Sequence, residues 1–271
     1  MVVTTNAHLL DNSAKLWRYI GFSKFVSLLA SQRLYFTRAD KFVDTFESSI
    51  PKNDIEAARN YYAALLANDV IDVGGVSKFP KTDIKVNLKH FLKMSDAEVE
   101  QLTDRDLPPY LLKISNRFQY VNCWHANEHE SAGMWQLYMN GNEGVAIQTT
   151  AEALYSCLNN HDDTIYYGPV KYIDYMNDSW GEPLPLNPIF HKRNSFAHER
   201  EVRAVIINPK GVDPKYHNGV EIPVDLKCMV QQVVVNPHAQ RWFKDTVASV
   251  CKQYGLEVTP TQSGLYDEPG Y

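Results

Sequence analysis

Apolar residues fall into many short blocks along this chain, some alternating as in strands and others recurring at helical spacing. Residues 16–20 read as a short strand, broken by Gly21. Residues 22–32 then carry Phe25, Val26, Leu28 and Leu29 at helical spacing. Residues 33–38 return to an extended pattern with Leu34 and Phe36 on one face. A strand, a helix and a second strand are predicted here as one tight unit.

The stretch 51–117 reads differently. Residues 53–68 are alanine-rich and helical, Gly74-Gly75 and Pro80 punctuate the segment after them, and 82–94 suit another helix. Ser95 with Glu98 matches a capping box and opens a third helix, and Pro108-Pro109 opens a fourth, since proline is tolerated in a first turn. The stretch is expected to be a helical insertion within a single domain over 1–271. Further strands are expected at 118–124, 144–149, 220–224, 232–235 and 256–260, and through 164–175 with a break at Gly168-Pro169. Helices are expected at 131–139, 151–159, 189–197 and 237–254, with a proline-rich loop at 180–188. Many short strands among unevenly placed helices predict an α+β class rather than a regular parallel β-α-β sheet.

Composition narrows the picture. The 271 residues suffice for one large domain or two small ones. No run of about eighteen apolar residues occurs and no basic-then-apolar leader opens the chain, so neither a membrane span nor a secretory signal is expected. Cys123, Cys157, Cys228 and Cys251 are widely spaced with no Cys-x-x-Cys, which fits a reducing cytoplasm. The net charge of −5 disfavours a broad nucleic-acid clamp but leaves room for a local basic groove.

The densest chemistry lies in Glu199-Arg200-Glu201-Val202-Arg203, which leads into Ala204-Val205-Ile206-Ile207. If the run is a strand, Glu199 and Glu201 share a face about 7 Å apart. Like charges so close call for a facing cation or a proton on one of them. Such a pair can set a base against a cationic or hydroxyl-bearing substrate; the spacing alone also fits an edge strand of alternating charge. His125-Ala126-Asn127-Glu128-His129 matches the inverted zincin motif, which needs a helix to bring both histidines together. The motif comes after a strand-like run and precedes the next expected helix, so a polar loop is the plainer reading. Glycine-rich phosphate loops, the dinucleotide fingerprint and the serine-hydrolase elbow are absent from the sequence. Arg18, between Trp17 and Tyr19, suits a phosphate or ribose edge, or solvent on an amphipathic strand. Tyr35 suits stacking on a planar ring or plain core, and Trp135 and Tyr138 share a helical face whose default is core packing.

In order, the chain runs Leu16-Trp17-Arg18-Tyr19, a helix, Arg33-Leu34-Tyr35-Phe36-Thr37, the acidic stretch from Asp40 to Glu47, Cys123-Trp124-His125 and Met134-Trp135-Gln136-Leu137-Tyr138. Gly144-Val145-Ala146-Ile147, Val170-Lys171-Tyr172 and the Glu199 to Arg203 run come next. Over about 16–261 this resembles a bacterial family catalogued as domain of unknown function twenty-nine seventy-one. That pattern is in turn similar to ADP-ribosyltransferases. The similarity implies a split mixed or antiparallel β-sheet core around a cleft for NAD as co-substrate, with no metal. It implies that Arg18 holds the adenosine ribose side and that Tyr35 stacks on nicotinamide, with Thr37, Trp135 and Tyr138 as further cofactor contacts. Glu201, or Glu199, would hold the nicotinamide ribose and orient the bond to be broken, and the first of two such glutamates would engage the acceptor. The second element departs from the pattern in lacking Ser-Thr-Ser, and Asp40, Asp44 and Glu47 have no role in it.

The resemblance further implies a cytoplasmic toxin or phage-defence effector. Its acceptor would be nucleic acid, RNA ahead of DNA, or protein, and an antitoxin protein would be its partner. The carboxylate pair and its neighbours agree with this chemistry, because a fixed carboxylate stabilises the positive charge that builds on the ribose. Two other readings stand beside it: a non-catalytic nucleotide- or peptide-binding module of the same fold, and a zinc hydrolase using His125, Glu128 and His129. The transferase needs Arg18, Tyr35 and Glu201 to converge, and the hydrolase needs helix over 124–130.

Overall fold

A mixed sheet organises the chain in a computed structural model that describes residues 1–6, 10–44, 46–67, 70–72, 78–80, 86, 88–90, 92–103, 106–139, 141–159, 161–181, 186–207, 211–213 and 217–269. The strands are β1 (Val2–Thr4), β2 (Lys15–Gly21), β3 (Arg33–Arg38), β4 (Val70–Asp72), β5 (Lys78–Pro80), β6 (Gln119–Ala126) and β7 (Gly144–Thr150). They continue with β8 (Ile165–Pro169), β9 (Lys171–Ile173), β10 (His191–Arg193), β11 (Glu201–Ile207), β12 (Gly219–Pro223), β13 (Gln232–Val235) and β14 (Thr261–Gln262). The main sheet runs β1-β8-β11-β6-β2-β7-β13-β14, with β3 joined to both β6 and β12. β1–β8 and β13–β14 are parallel and the other pairs of this sheet are antiparallel, which makes the fold α+β with a mixed sheet.

Side chains alternate across this sheet as strand geometry requires. Leu16, Phe36, Trp124, Ala204 and Ile206 enter the principal core. Their neighbours Val121, Val205 and Ile207 point the other way, onto Ile189 and Phe190. Trp17 and Tyr19 on β2 pack with Met134 and Trp135. The helix Phe22–Ser31 buries Phe25, Leu28 and Leu29 against the sheet, as their spacing predicts. It stops where Gln32 turns left-handed at φ 54. β11 is buried at every position, so a nearly continuous apolar run is what its place in the sheet demands. The exceptions, Glu201 and Arg203, shape the candidate site.

The stretch 51–117 contains helices Ile55–Ala67, Asp96–Gln101 and Pro108–Ser115, the second with its capping box formed and the third with proline in its first turn. A separate apolar cluster of Leu88, Val99, Leu107, Leu111 and Ile114 holds it together. It also includes the antiparallel pair β4–β5, which the helical reading of this stretch missed. Gly74-Gly75, part of the expected helix at 82–94 and residues 182–185 of the proline-rich loop lie outside the described residues.

Three expectations need correction. Residues 189–197 are not a helix: a short 3-10 turn, β10 and a second 3-10 turn, Asn194–Glu199, occupy them. The C-terminal helix begins at Arg241 rather than 237, after a turn around Asn236 in which the His238 amide donates to the Asn236 side chain. The closing strand is β14, and 256–260 does not pair as a strand. Among the described residues no helix is long and apolar enough to cross a membrane.

Gly168 on β8 faces the backbone of Thr5, whose carbonyl lies where a Cβ at this position would go. The neighbouring atom is backbone and cannot swing aside. Gly168→Ala is expected to displace the chain beyond β1 and to lower stability by about 1–3 kcal/mol, as overpacking does. Chemical denaturation of the variant checks this; an unchanged midpoint would show that the Thr5 segment yields freely.

Candidate active site

The site arises where β6 changes partner. One edge of β6 pairs continuously with β11, from Gln119↔Ile207 to His125↔Glu201. The other edge is shared: Tyr120 and Val121 pair with β3, whereas His125 and Ala126 pair with β2. Residues 122–124 face the gap between the two strands. Backbone groups in such a gap need partners from side chains. Arg18 Nη1 donates to the Cys123 carbonyl at 3.4 Å, and Asn122 Nδ2 donates to the Tyr35 carbonyl at 2.9 Å. The splayed strands open into a cleft of about 620 Å³, lined by Arg18, Tyr35, Thr37, His125, Tyr138 and Glu201 among others. That volume falls within the roughly 300–1,000 Å³ of small-molecule sites.

An ion network lies at the inner end of the cleft. Lys192 Nζ stands 2.6 Å from Glu199 Oε2 and 3.2 Å from Glu201 Oε1. Arg203 Nε donates to Glu201 Oε2 at 2.7 Å, and its Nη1 donates to Glu47 Oε1 at 2.5 Å and to the Ile189 carbonyl at 2.6 Å. These five side chains belong to residues between 0% and 9% exposed. The two glutamates do not share a strand face by simple alternation. Glu199 ends a 3-10 turn, and Arg200 takes a left-handed conformation at φ 41 before β11 begins at Glu201. That backbone costs on the order of 1–3 kcal/mol in a residue other than glycine. It brings both carboxylates onto one ammonium.

Protonation is set by this arrangement. Burial, then the charge of Glu201, pushes the Glu199 carboxyl up to about 7 against the pull of Lys192. Burial would raise Glu201 as well, but Arg203 and Lys192 outweigh it and hold that carboxyl at about 2. Three carboxylates therefore meet two cations, and a proton on Glu199 balances the charge. The Tyr138 hydroxyl is held up by desolvation and by the negative field of Glu199 and Glu201, so it remains a neutral donor. Burial raises the Cys123 thiol to about 12, which leaves it unreactive as a nucleophile. His125 is kept neutral chiefly by burial. Its Nδ1 lies 2.6 Å from the Glu199 carbonyl, which fixes Nδ1 as the donor and leaves buried Nε2 an acceptor with no partner among the described residues.

The cleft gathers Arg18, Tyr35, Thr37, Tyr138, Glu199 and Glu201. Arg18 lies 5.8 Å from the Trp124 ring centroid, and Tyr35 is 44% exposed at the cleft with Gly219 beneath its ring. Trp135 does not line the cleft. It packs edge-on against Tyr19 at 4.9 Å, and its indole donates to Glu130 at 2.9 Å. Met134 and Tyr138, at i and i+4, face the cleft from this helix instead. The inverted zincin motif is not assembled: β6 continues through Ala126, and Glu128 is exposed beside Lys15 at 3.6 Å. Among the described residues no cluster of three or more His, Cys, Asp and Glu could hold a metal. Sequence reasoning missed Lys192, Arg203 and Glu47. Arg203 carried a signal, as a charge along an apolar strand; Lys192, on a separate short strand, and Glu47, distant in sequence, carried none.

No family model matches the chain, and no curated protein does. Two solved structures of DarT from Thermus sp. 2.9 were found by structural comparison. The one in complex with NAD+ has a TM-score of 0.39 at 6% identity, over 94% of this chain and 97% of that chain. The one in complex with ADP-ribosylated ssDNA has a TM-score of 0.38 at 7% identity, over 93% and 94%. The chemistry of the cleft is accordingly read from its own residues.

The opposed shifts of the glutamates make stability depend on pH in two ways. Glu199 binds its proton more tightly folded than unfolded, so its contribution is complete below about 4.5 and is lost as pH rises through about 7. Glu201 contributes fully above about 4.5, and that contribution is lost as pH falls towards about 2. Glu199→Gln keeps a neutral side chain at every pH. Relative to this variant, the wild-type protein is expected to lose stability between about pH 5 and pH 8 in chemical denaturation. Parallel profiles would mean that Glu199 is ionised throughout.

Proposed function

We propose that this chain is an NAD-dependent ADP-ribosyltransferase that transfers ADP-ribose to a nucleic-acid or protein acceptor, in the manner of a toxin or phage-defence effector. The observation that carries this reading is convergence. Arg18 from β2, Tyr35 from β3 and Glu201 from β11 line one cleft, although a long stretch of sequence separates Glu201 from the other two.

NAD supplies a ribosyl carbon whose bond to nicotinamide breaks with the electron pair leaving on nicotinamide. The side chains have complementary tasks. Tyr35 offers an exposed ring face for a planar heterocycle. Arg18 offers a guanidinium fork for a ribose or phosphate edge. Glu201, held ionised, stabilises positive charge developing on the ribose and accepts a hydrogen bond from a ribose hydroxyl. Glu199 titrates near neutrality, so its ionised form can take the proton of an incoming acceptor. A cationic ring beside the network favours that ionised form.

One observation favours a second reading, a nucleotide-binding module without turnover. Both oxygens of Glu201 are already engaged by Lys192 and Arg203, which draws down the charge it can offer a substrate.

Nicotinamide release with labelled NAD and separate RNA, DNA and protein pools decides between them. The transferase reading expects label in one pool and a fall of roughly 100-fold or more in Glu201→Gln, with an unaltered folded state by circular dichroism. No nicotinamide release with any pool would leave the binding module. The transfer rate is also expected to rise with pH through about 7 in wild-type protein and to flatten in Glu199→Gln. A rise of the same shape in both would remove Glu199 as the base.

A further inference from the structure

We propose that a second cavity, next to the cleft, binds one nucleotide unit of a single-stranded nucleic-acid acceptor; its role as the acceptor site rests on the transferase reading. The cavity measures about 580 Å³, and Phe42, Asp44 and Glu47 line both spaces, forming the wall between them.

The chemistry of the walls selects the ligand. Ile50, Ile55, Pro108, Pro109 and Leu112 supply apolar surface suited to a planar ring. Ser48 and Asn116 also line the cavity and are 3% and 9% exposed. Among the described residues Ser48 Oγ and Asn116 Oδ1 have no hydrogen-bond partner, and neither has Asp44 Oδ2. Leaving such groups unpaired costs about 1–3 kcal/mol each, which a bound molecule carrying N–H donors would recover. Ser48 moreover holds a left-handed backbone at φ 58, a strained conformation of the kind that clusters at ligand sites. The amino and imino groups of a nucleobase suit an amide carbonyl and a carboxylate oxygen.

Charge points the same way. The lining acids Asp40, Asp44 and Glu47 are each neutralised by an arginine, Arg38, Arg193 and Arg203, at 2.5–2.6 Å. Of the lining cations, Arg59 pairs with Glu56 and Arg117 lies 3.7 Å from Asp40, which leaves Lys113. Lys113 is exposed and has no ion-pair partner among the described residues, so it is available to a phosphate. Glu47 also ties the cavity to the cleft, since it bonds Arg203, which bonds Glu201.

The test is fluorescence anisotropy of fluorescein-labelled, mixed-sequence single-stranded DNA and RNA, measured without NAD so that binding is scored independently of chemistry. Asn116→Leu removes the amide acceptor. Lys113→Glu reverses charge at an exposed position, and it keeps the test decisive if Asn116→Leu does not fold. Both are expected to weaken binding about ten-fold or more, with Lys113→Glu also reducing the salt slope by about one and Lys113→Arg binding like wild type. Wild-type protein that binds neither oligonucleotide, or variants that bind as tightly as wild type, would overturn the site. Transfer from NAD to nucleic acid at wild-type affinity in both variants would overturn it while leaving the transferase reading intact. Loss of oligonucleotide binding in a protein that never releases nicotinamide would support the site and reject that reading.

Discussion

The interaction on which the site depends is the pairing of Arg203 with Glu201 and Glu47 inside the sheet. A guanidinium with no solvent exposure midway along a central strand is untenable unless anions and acceptors surround it. Glu201 precedes it by two residues and lies on the same strand face. Glu47 comes from a distant segment, and the Ile189 carbonyl completes the set. Replacing such a network with apolar residues can stabilise a protein, so folding alone does not explain its presence. What it achieves is position. It holds a charged carboxylate at the end of a rigid strand and fastens the segment containing Glu47 over the cleft.

Lys192 extends the network to Glu199 and creates the asymmetry between the glutamates. Glu201 has two cations and stays ionised, whereas Glu199 shares one and takes a proton near neutrality. Two carboxyls of the same residue type, separated by one position, thereby acquire different chemical roles. The strained Arg200 backbone makes this geometry reachable. The divergence of β2 and β3 from β6 provides the rest, because it opens a space in front of the pair without a break in the sheet.

Local features were legible in the sequence. The strand-helix-strand unit at 16–38, the capping box at Ser95 and the strands at 144–149 and 232–235 are dictated by periodicity and cap chemistry, and the structure contains them. The turns between 188 and 200 were not legible. Apolar and polar residues there mimic a helix, while the backbone is set by the need to bring Lys192 and Glu199 together. The antiparallel pair β4–β5 was hidden in a stretch whose neighbours are helix formers. Of the site, Arg18, Tyr35 and the glutamates were readable as candidates. Trp135 packs in the core, the default for its helical face, and only the resemblance made it a cofactor contact. Lys192, Glu47 and the neutral His125 acquire meaning only through contacts made across the fold.

The fold and the network together define a cleft with a fixed anion at one end, an aromatic face and a guanidinium. The most direct test of its assignment is a crystal structure of the Glu201→Gln protein with NAD. The prediction is a dinucleotide in the cleft, with nicotinamide against Tyr35, a ribose hydroxyl within hydrogen-bonding distance of residue 201 and Arg18 on the adenosine side. A dinucleotide bound elsewhere, or none at saturating concentration, would contradict it.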